Sequence, residues 1–231
     1  MLHLVGGVLL TFVLQMAAGV LGPAGLPLSL LAPLPAALAV MLHGVATGSA
    51  MVLLTTMVVL PVAGPAGAVA YLLQYGMGSL VLPLLLRRGL AWDRAVALTL
   101  AVVLAVAALG IGAFLLQQER APGEIVGQYL RGELERALEL TRSSELPDTD
   151  KAELQTLAGE TVELLERIYP GVVVAVGGAI LLLTTFLLSA LANGRFVLPG
   201  PPFALWKAPE LLIWPLIAGG FQRPSRDALE I

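Results

Sequence analysis

The chain contains few side chains that can carry catalytic or metal-ligating chemistry. Its two histidines, His3 and His43, fall near the start of a first apolar segment and the end of a second, so they can share one depth. No His-Glu-x-x-His sequence, paired intramembrane carboxylates or Gly-x-Ser-x-Gly elbow accompanies them. Cysteine is absent, which excludes thiolate metal sites and cysteine nucleophiles. We therefore predict a non-enzymatic protein without a metal or cofactor; an enzymatic alternative requires both histidines to face one another beside a substrate.

A second group of candidates consists of neutral polar side chains that interrupt long apolar stretches. They are Gln15, Thr55, Thr56, Tyr71, Gln74 and Tyr75. One interpretation is hydrogen bonding between membrane helices, where each bond contributes roughly 0.6 to 2 kcal/mol. The alternative is an outward-facing pocket in which all of these residues except Tyr75 bind and orient a small, mostly apolar ligand.

The elements that must position these groups are membrane helices. Hydrophobic residues make up 58% of the 231 residues and charged residues 13%, and the mean hydropathy is +0.89. No Asp, Glu, Lys or Arg occurs between Met1 and Leu86. A soluble fold cannot bury so long an uncharged apolar stretch. The sequence therefore predicts an integral membrane protein, and its net charge of −3 offers no basic field for nucleic acid.

We predict an all-α, polytopic transmembrane bundle with about six spans, because a span needs about 20 mainly apolar residues. The predicted spans are Leu2–Leu21, Pro27–His43, Thr47–Ala63, Ala66–Leu86, a fifth from after Asp93-Arg94 through Phe114, and Gly171–Leu191. Pro33 and Pro35 are expected to kink the second span or delay its start. Gly64-Pro65 is expected to form a tight turn. The short apolar segment Leu211–Phe221 reaches only half the hydrocarbon thickness.

Charged residues predict the orientation and the nature of the long loop. Arg87, Arg88 and Arg94 lie between the fourth and fifth spans, and the positive-inside rule places that loop and the N-terminus in the cytoplasm. The segment Glu119–Tyr169 then lies outside. Up to Arg167 it has twelve acidic and six basic residues, and its apolar positions recur at helical spacing. We predict an extramembrane, acidic, amphipathic helical hairpin that either spaces two spans or binds a partner.

These assignments divide the chain into three regions. Residues 1–117 form a five-helix membrane core, and residues 118–169 form the extracytoplasmic acidic hairpin. Residues 170–231 contain the sixth span, an interfacial aromatic segment and the C-terminal half-span. Glycines within the spans, including Gly6-Gly7, Gly48 and Gly177-Gly178, are expected to let neighbouring helices approach closely.

The order of these segments resembles a known family. Ala32-Pro33-Leu34-Pro35 follows the first helix, Tyr169-Pro170-Gly171 opens the sixth, and Phe203-Ala204-Leu205-Trp206-Lys207-Ala208-Pro209-Glu210 precedes Trp214. This layout resembles the YybS-like family of predicted bacterial inner-membrane proteins, and the Phe-x-x-Trp-Lys-x-Pro-Glu run is its most specific part. The helical core of that family is in turn distantly similar to the substrate-binding S components of energy-coupling-factor transporters. The resemblance implies a transporter-like core in the inner membrane.

The aromatic segment also has a physical interpretation of its own. Phe203, Trp206 and Trp214 are aromatic side chains suited to the membrane interface, and Lys207 can extend towards lipid phosphates. We predict that these four residues anchor the chain at the cytoplasmic surface. The alternative is that they dock a membrane or cytoplasmic protein partner.

Two functional hypotheses follow from the sequence. In the first, a non-enzymatic membrane protein binds a small solute from the outside and depends on partner proteins for energy. In the second, a structural membrane scaffold recruits another envelope protein through its acidic hairpin or its aromatic segment. Both place the chain in a lipid bilayer, and neither involves nucleic acid.

Overall fold

A computed structural model of the chain describes residues 2–118, 171–202 and 205. The chain divides into one unit over Met1–Pro199 and a second over Gly200–Ile231. The described part of the first unit consists of α-helices and short connecting segments. In the second unit, the Leu205 N–H donates a hydrogen bond of 2.9 Å to the Pro202 carbonyl.

The first three helices follow the predicted pattern of apolar residues and breakers. They are α1, Leu2–Leu21, α2, Leu26–Ser29, and α3, Leu34–His43. A 3-10 turn over Gly22–Gly25 ends α1 where glycine and proline were expected to break it. Pro35 lies in the first turn of α3, where its missing N–H breaks no helical bond. The interruption predicted for the second apolar helix, as a kink or a late start, is therefore confirmed, because a turn over residues 30–33 separates α2 from α3.

The next helical segment folds back on itself. It contains α4, Val45–Tyr71, a π-helical turn over Leu72–Gly76, and α5, Met77–Arg87. Its 43 residues amount to about 65 Å of helix, roughly twice the hydrocarbon thickness of a bilayer. The backbone leaves helical geometry at Gly64, with φ 70° and ψ −178°, a conformation that favours glycine. A Cβ added to Gly76 would lie 3.0 Å from Val52 Cγ1, so the chain reverses at Gly64 as predicted.

The last two described helices lie on either side of the acidic segment. α6, Trp92–Gln118, includes Asp93 and Arg94 in its first turn. The predicted start after Arg94 is therefore too late; the Asp93 carboxylate is favourable at the positive end of the helix dipole. α7, Gly171–Leu191, has the predicted bounds. The Trp92 N–H donates a hydrogen bond of 2.8 Å to the Pro199 carbonyl, which joins the segment after α7 to the start of α6.

Three described helical segments are long and apolar enough to cross a membrane. They are Val45–Arg87, Trp92–Gly110 and Gly171–Leu191. Two more, His3–Ala17 and Pro27–His43, are apolar but shorter. The described fold is therefore that of a helical membrane protein, and the total of six spans stays a prediction.

Several predicted features lie outside the described residues. They are the acidic hairpin over Glu119–Tyr169, the half-span Leu211–Phe221, and Phe203, Trp206, Lys207 and Trp214. The hairpin, the aromatic anchor and the three-region division of the chain stay predictions.

The core of the first unit lies where α1, α3 and α4 meet. Gly44 is the one residue between α3 and α4, and its φ of 98° permits that sharp turn. Beyond it, a Cβ on Gly48 would overlap sterically with Val40 Cγ2 and lie 3.2 Å from the Ala36 carbonyl oxygen. The close approach predicted at Gly48 is thus confirmed, whereas Gly6 on α1 has nothing within 4 Å of its missing Cβ.

Candidate functional site

A set of buried hydroxyl groups joins three helical elements inside the bundle. Thr55 on α4 is fully buried, and Tyr71 is only 2% exposed. The two side chains lie beside each other because the chain reverses at Gly64 between them. The ring of Tyr71 lies 6.4 Å from the ring of Tyr75, and Tyr75 interacts with the buried Ser29 side chain at the end of α2. We call Ser29, Thr55, Tyr71 and Tyr75 the hydroxyl cluster.

The hydroxyl cluster has an unfilled hydrogen-bonding position. Among the described residues, Thr55 Oγ1 is a buried atom without a hydrogen-bond partner, although the Tyr71 side chain lies beside it. Leaving a buried polar group unpaired costs about 1–3 kcal/mol. Apolar side chains, including Val52 and Val59, surround it in the core.

Gln15 lies at the same depth in the bundle as this cluster. It follows His3 by 12 residues on α1, Thr55 follows His43 by 12, and Tyr75 precedes Arg87 by 12. At 1.5 Å per residue, each group lies about 18 Å from the end of the bundle that carries the histidines and arginines. Gln15 Oε1 is also a buried atom without a hydrogen-bond partner. The bundle therefore has two unpaired acceptors in one layer.

The remaining predicted site residues have different surroundings. The Thr56 hydroxyl donates a 2.8 Å hydrogen bond to the Val52 carbonyl of its own helix. Gln74 is exposed, while Tyr75 beside it is buried. Tyr75 follows Tyr71 by four residues and shares its buried face, and the chain forms a π-helical turn over Leu72–Gly76 at this point. The contribution of Gln74 and Thr56 to binding stays a prediction.

Sequence reasoning missed Ser29 and Thr99 as buried polar groups. Ser29 is the last residue of a one-turn helix that apolar periodicity does not reveal. Thr99 on α6 is fully buried. Its Oγ1, like Thr55 Oγ1, has no hydrogen-bond partner among the described residues. By contrast, four buried hydroxyls bond to carbonyls of their own helices. They are Thr11, Ser79, Thr184 and Thr185.

The two histidines do face each other. The rings of His3 and His43 lie edge to face, with centroids 6.4 Å apart and planes at 79°. Both side chains are exposed at the end of the bundle where α3 and α5 finish. Arg87 Nη1 donates a 2.7 Å hydrogen bond to the Val40 carbonyl, so its positive charge lies at the negative ends of both helix dipoles. We call His3, His43 and Arg87 the histidine–arginine cluster.

This architecture defines a class of protein. Apolar helices of membrane-spanning length, with charged residues at one end of the described bundle, identify an integral membrane protein. The family described as "Predicted membrane protein (DUF2232)" matches residues 9–222, and the chain belongs to that family. No curated protein and no solved structure matches the chain. The YybS-like resemblance and the similarity to S components stay predictions.

Proposed function

We propose that this is a non-enzymatic bacterial inner-membrane protein whose helical core binds a small solute from the outside and relies on partner proteins for energy. The observation that carries the proposal is the buried, unpaired Thr55 Oγ1 beside Tyr71. Unpaired polar atoms are rare in folded interiors, since each costs free energy that a bound group can recover. The dependence on partners rests on the family resemblance, since the chain has no Walker A sequence of its own.

The surroundings of the layer restrict the chemistry of the solute. No charged side chain occurs between Met1 and Leu86, so an ionic solute would lie in the layer without a counter-charge at large cost. Thr55 Oγ1 and Gln15 Oε1 can both accept hydrogen bonds. The solute we propose is therefore uncharged and mostly apolar, with at least one N–H or O–H group that donates to these oxygens.

A matched pair of threonine variants tests the proposal. We expect the purified protein to carry a stoichiometric small molecule in native mass spectrometry. Thr55→Val should lower its retention about tenfold, because one hydrogen bond to the solute of about 1.4 kcal/mol is lost. Thr56→Val should retain it, because the Thr56 hydroxyl is already bonded to its own helix. Gln15→Leu should behave like Thr55→Val.

Two results would contradict this function. One is equal retention in both threonine variants. The other is a protein without any bound molecule that nevertheless crosslinks to a partner through Glu119–Tyr169, with the crosslink unchanged by Thr55→Val. That second outcome would favour the scaffold hypothesis.

The side from which the solute enters depends on orientation, which the arginines predict. Arg87, Arg88, Arg94 and Arg195 belong to one end of the described bundle, and we propose that this end is cytoplasmic. The layer about 18 Å away then lies just beyond the bilayer midplane, because half the hydrocarbon thickness is about 15 Å. Entry from outside is thus the shorter route.

Single cysteines test the orientation, since the chain has none of its own. Ala63→Cys lies beside the Gly64 turn and Leu90→Cys lies between α5 and α6. We expect a membrane-impermeant maleimide to label Ala63→Cys in intact bacterial cells and Leu90→Cys only after permeabilisation. The reverse pattern would show that the arginine end faces outward.

A further inference from the structure

The histidine–arginine cluster is separate from the proposed solute layer and has its own chemistry. His3 on α1 and His43 at the end of α3 bring two exposed imidazoles together from distant parts of the chain. Arg87 lies next to them, because its Nη1 is 3.5 Å from the position of a Cβ on Gly44, the residue after His43. Each of these three side chains can donate hydrogen bonds to an anion.

The electrostatics at this end favour an anion over a metal cation. The described residues contain four arginines and a single acidic residue, Asp93, and all of them lie at this end of the bundle. No group of three or more metal-ligating side chains occurs among the described residues. A bound cation would also meet the guanidinium of Arg87, whereas a phosphate would gain from it.

An open apolar track leads away from the cluster along α1. His3, Gly6, Leu10 and Val13 recur at helical spacing and share one face. No part of the chain that the structure describes fills the space where a Gly6 side chain would lie, and Leu10 and Val13 are 52% and 61% exposed. The ten residues from His3 to Val13 cover about 15 Å, the thickness of one hydrocarbon leaflet.

We propose that the histidine–arginine cluster binds the phosphate of an anionic phospholipid, whose acyl chain lies along the track on α1. The positively charged cluster supplies the headgroup contacts at the membrane interface. The gap at Gly6 admits the first part of the acyl chain, and Leu10 and Val13 contact the remainder. Basic pockets between membrane helices bind lipid headgroups because their positive charge lies at the depth of the lipid phosphates.

Lipid retention by the purified full-length protein tests the site. The probes are phosphatidylglycerol and phosphatidylcholine with identical acyl chains, measured by native mass spectrometry. We expect wild type to retain phosphatidylglycerol preferentially. Arg87→Gln should weaken that retention about fivefold, the factor expected for one cationic contact at the membrane surface. His3→Gln should also weaken it, because the imidazole that contacts the phosphate is removed. Arg94→Gln, which removes an exposed arginine from the start of α6, should leave it unchanged.

A second variant distinguishes a lipid from a free anion or a metal. Gly6→Leu fills the track and should abolish the preference for phosphatidylglycerol with all three cluster side chains intact. Inorganic phosphate that displaces the lipid from wild type and binds Gly6→Leu equally well would overturn the lipid assignment. Stoichiometric Zn²⁺ binding that is lost in His3→Gln, or equal retention of both lipids by wild type, would overturn the proposal. His3→Gln changes an exposed side chain, so its result does not depend on core packing.

Discussion

Gly48→Ala is expected to destabilise the bundle by about 2 kcal/mol, although alanine favours helices. The new methyl group would overlap Val40 Cγ2 and approach the Ala36 carbonyl oxygen to 3.2 Å. Because that oxygen belongs to the backbone of α3, relief requires α3 and α4 to separate. Overpacking of this kind typically costs 1–3 kcal/mol.

Gly6→Ala is the matched control for this substitution. Gly6 also lies within a helix, but no atom of the described residues lies within 4 Å of its missing Cβ. Its replacement should leave stability unchanged or raise it by up to about 1 kcal/mol through helix propensity. Reversible unfolding in mixed micelles, titrated with a denaturing detergent, measures both. Equal stability of the two variants would mean that Gly48 does not set the separation of α3 and α4.

The contrast between these glycines shows how far the sequence can predict helix packing. Small residues within apolar segments indicate that helices approach closely, and Gly48 fulfils that expectation. Gly6 occupies an equally apolar stretch yet faces open space. The difference depends on the rotation of each helix about its axis, which low amphipathicity leaves undetermined in segments that are hydrophobic all round.

The sequence predicts which types of residue form the candidate site better than it predicts which individual residues do. Hydropathy identified the polar residues that interrupt the spans, and by helical register Gln15, Thr55 and Tyr75 lie in one layer, with Tyr71 beside Thr55. Gln74 is exposed and Tyr75 is buried within a π-helical turn, and a binding role for Gln74 stays a prediction. Nothing in the sequence Leu-Leu-Gln-Tyr-Gly over Leu72–Gly76 signals that turn. Ser29 escaped prediction for a similar reason, since its contact with Tyr75 is tertiary.

The positions of the charged residues in the sequence predicted where the helices of the bundle end. Arg87 and Arg88 stop α5, and helical length alone then requires His3 and His43 to lie near them. Their edge-to-face contact joins α1 to the end of α3, two helices that are distant in the sequence. The sequence thus indicated a shared depth, whereas the ring contact depends on the tertiary packing of α1 and α3, which apolar periodicity does not predict.

A disulfide across the α4–α5 hairpin should give the largest gain in stability. Val52→Cys with Gly76→Cys places two thiols where a Cβ on Gly76 would lie 3.0 Å from Val52 Cγ1. Replacing valine removes that methyl group, so the new sulfur atoms can occupy the space. The bond would close a loop of about 25 residues, which corresponds to about 3–4 kcal/mol in the chain-entropy description.

The chain has no native cysteine, so any intramolecular disulfide must form between the two introduced residues. Met57→Cys with Gly76→Cys is the control, since Met57 lies on the same helix but is 67% exposed and faces away from the core. We expect the first pair to oxidise quantitatively, with a reductant-sensitive shift in gel mobility and higher resistance to unfolding. Because a continuous helix would hold positions 52 and 76 about 36 Å apart, an intramolecular bond requires the reversal at Gly64. Equal crosslinking of both pairs would instead indicate that the two arms slide or rotate against each other, and the hydroxyl cluster between Thr55 and Tyr71 would then lack a defined geometry.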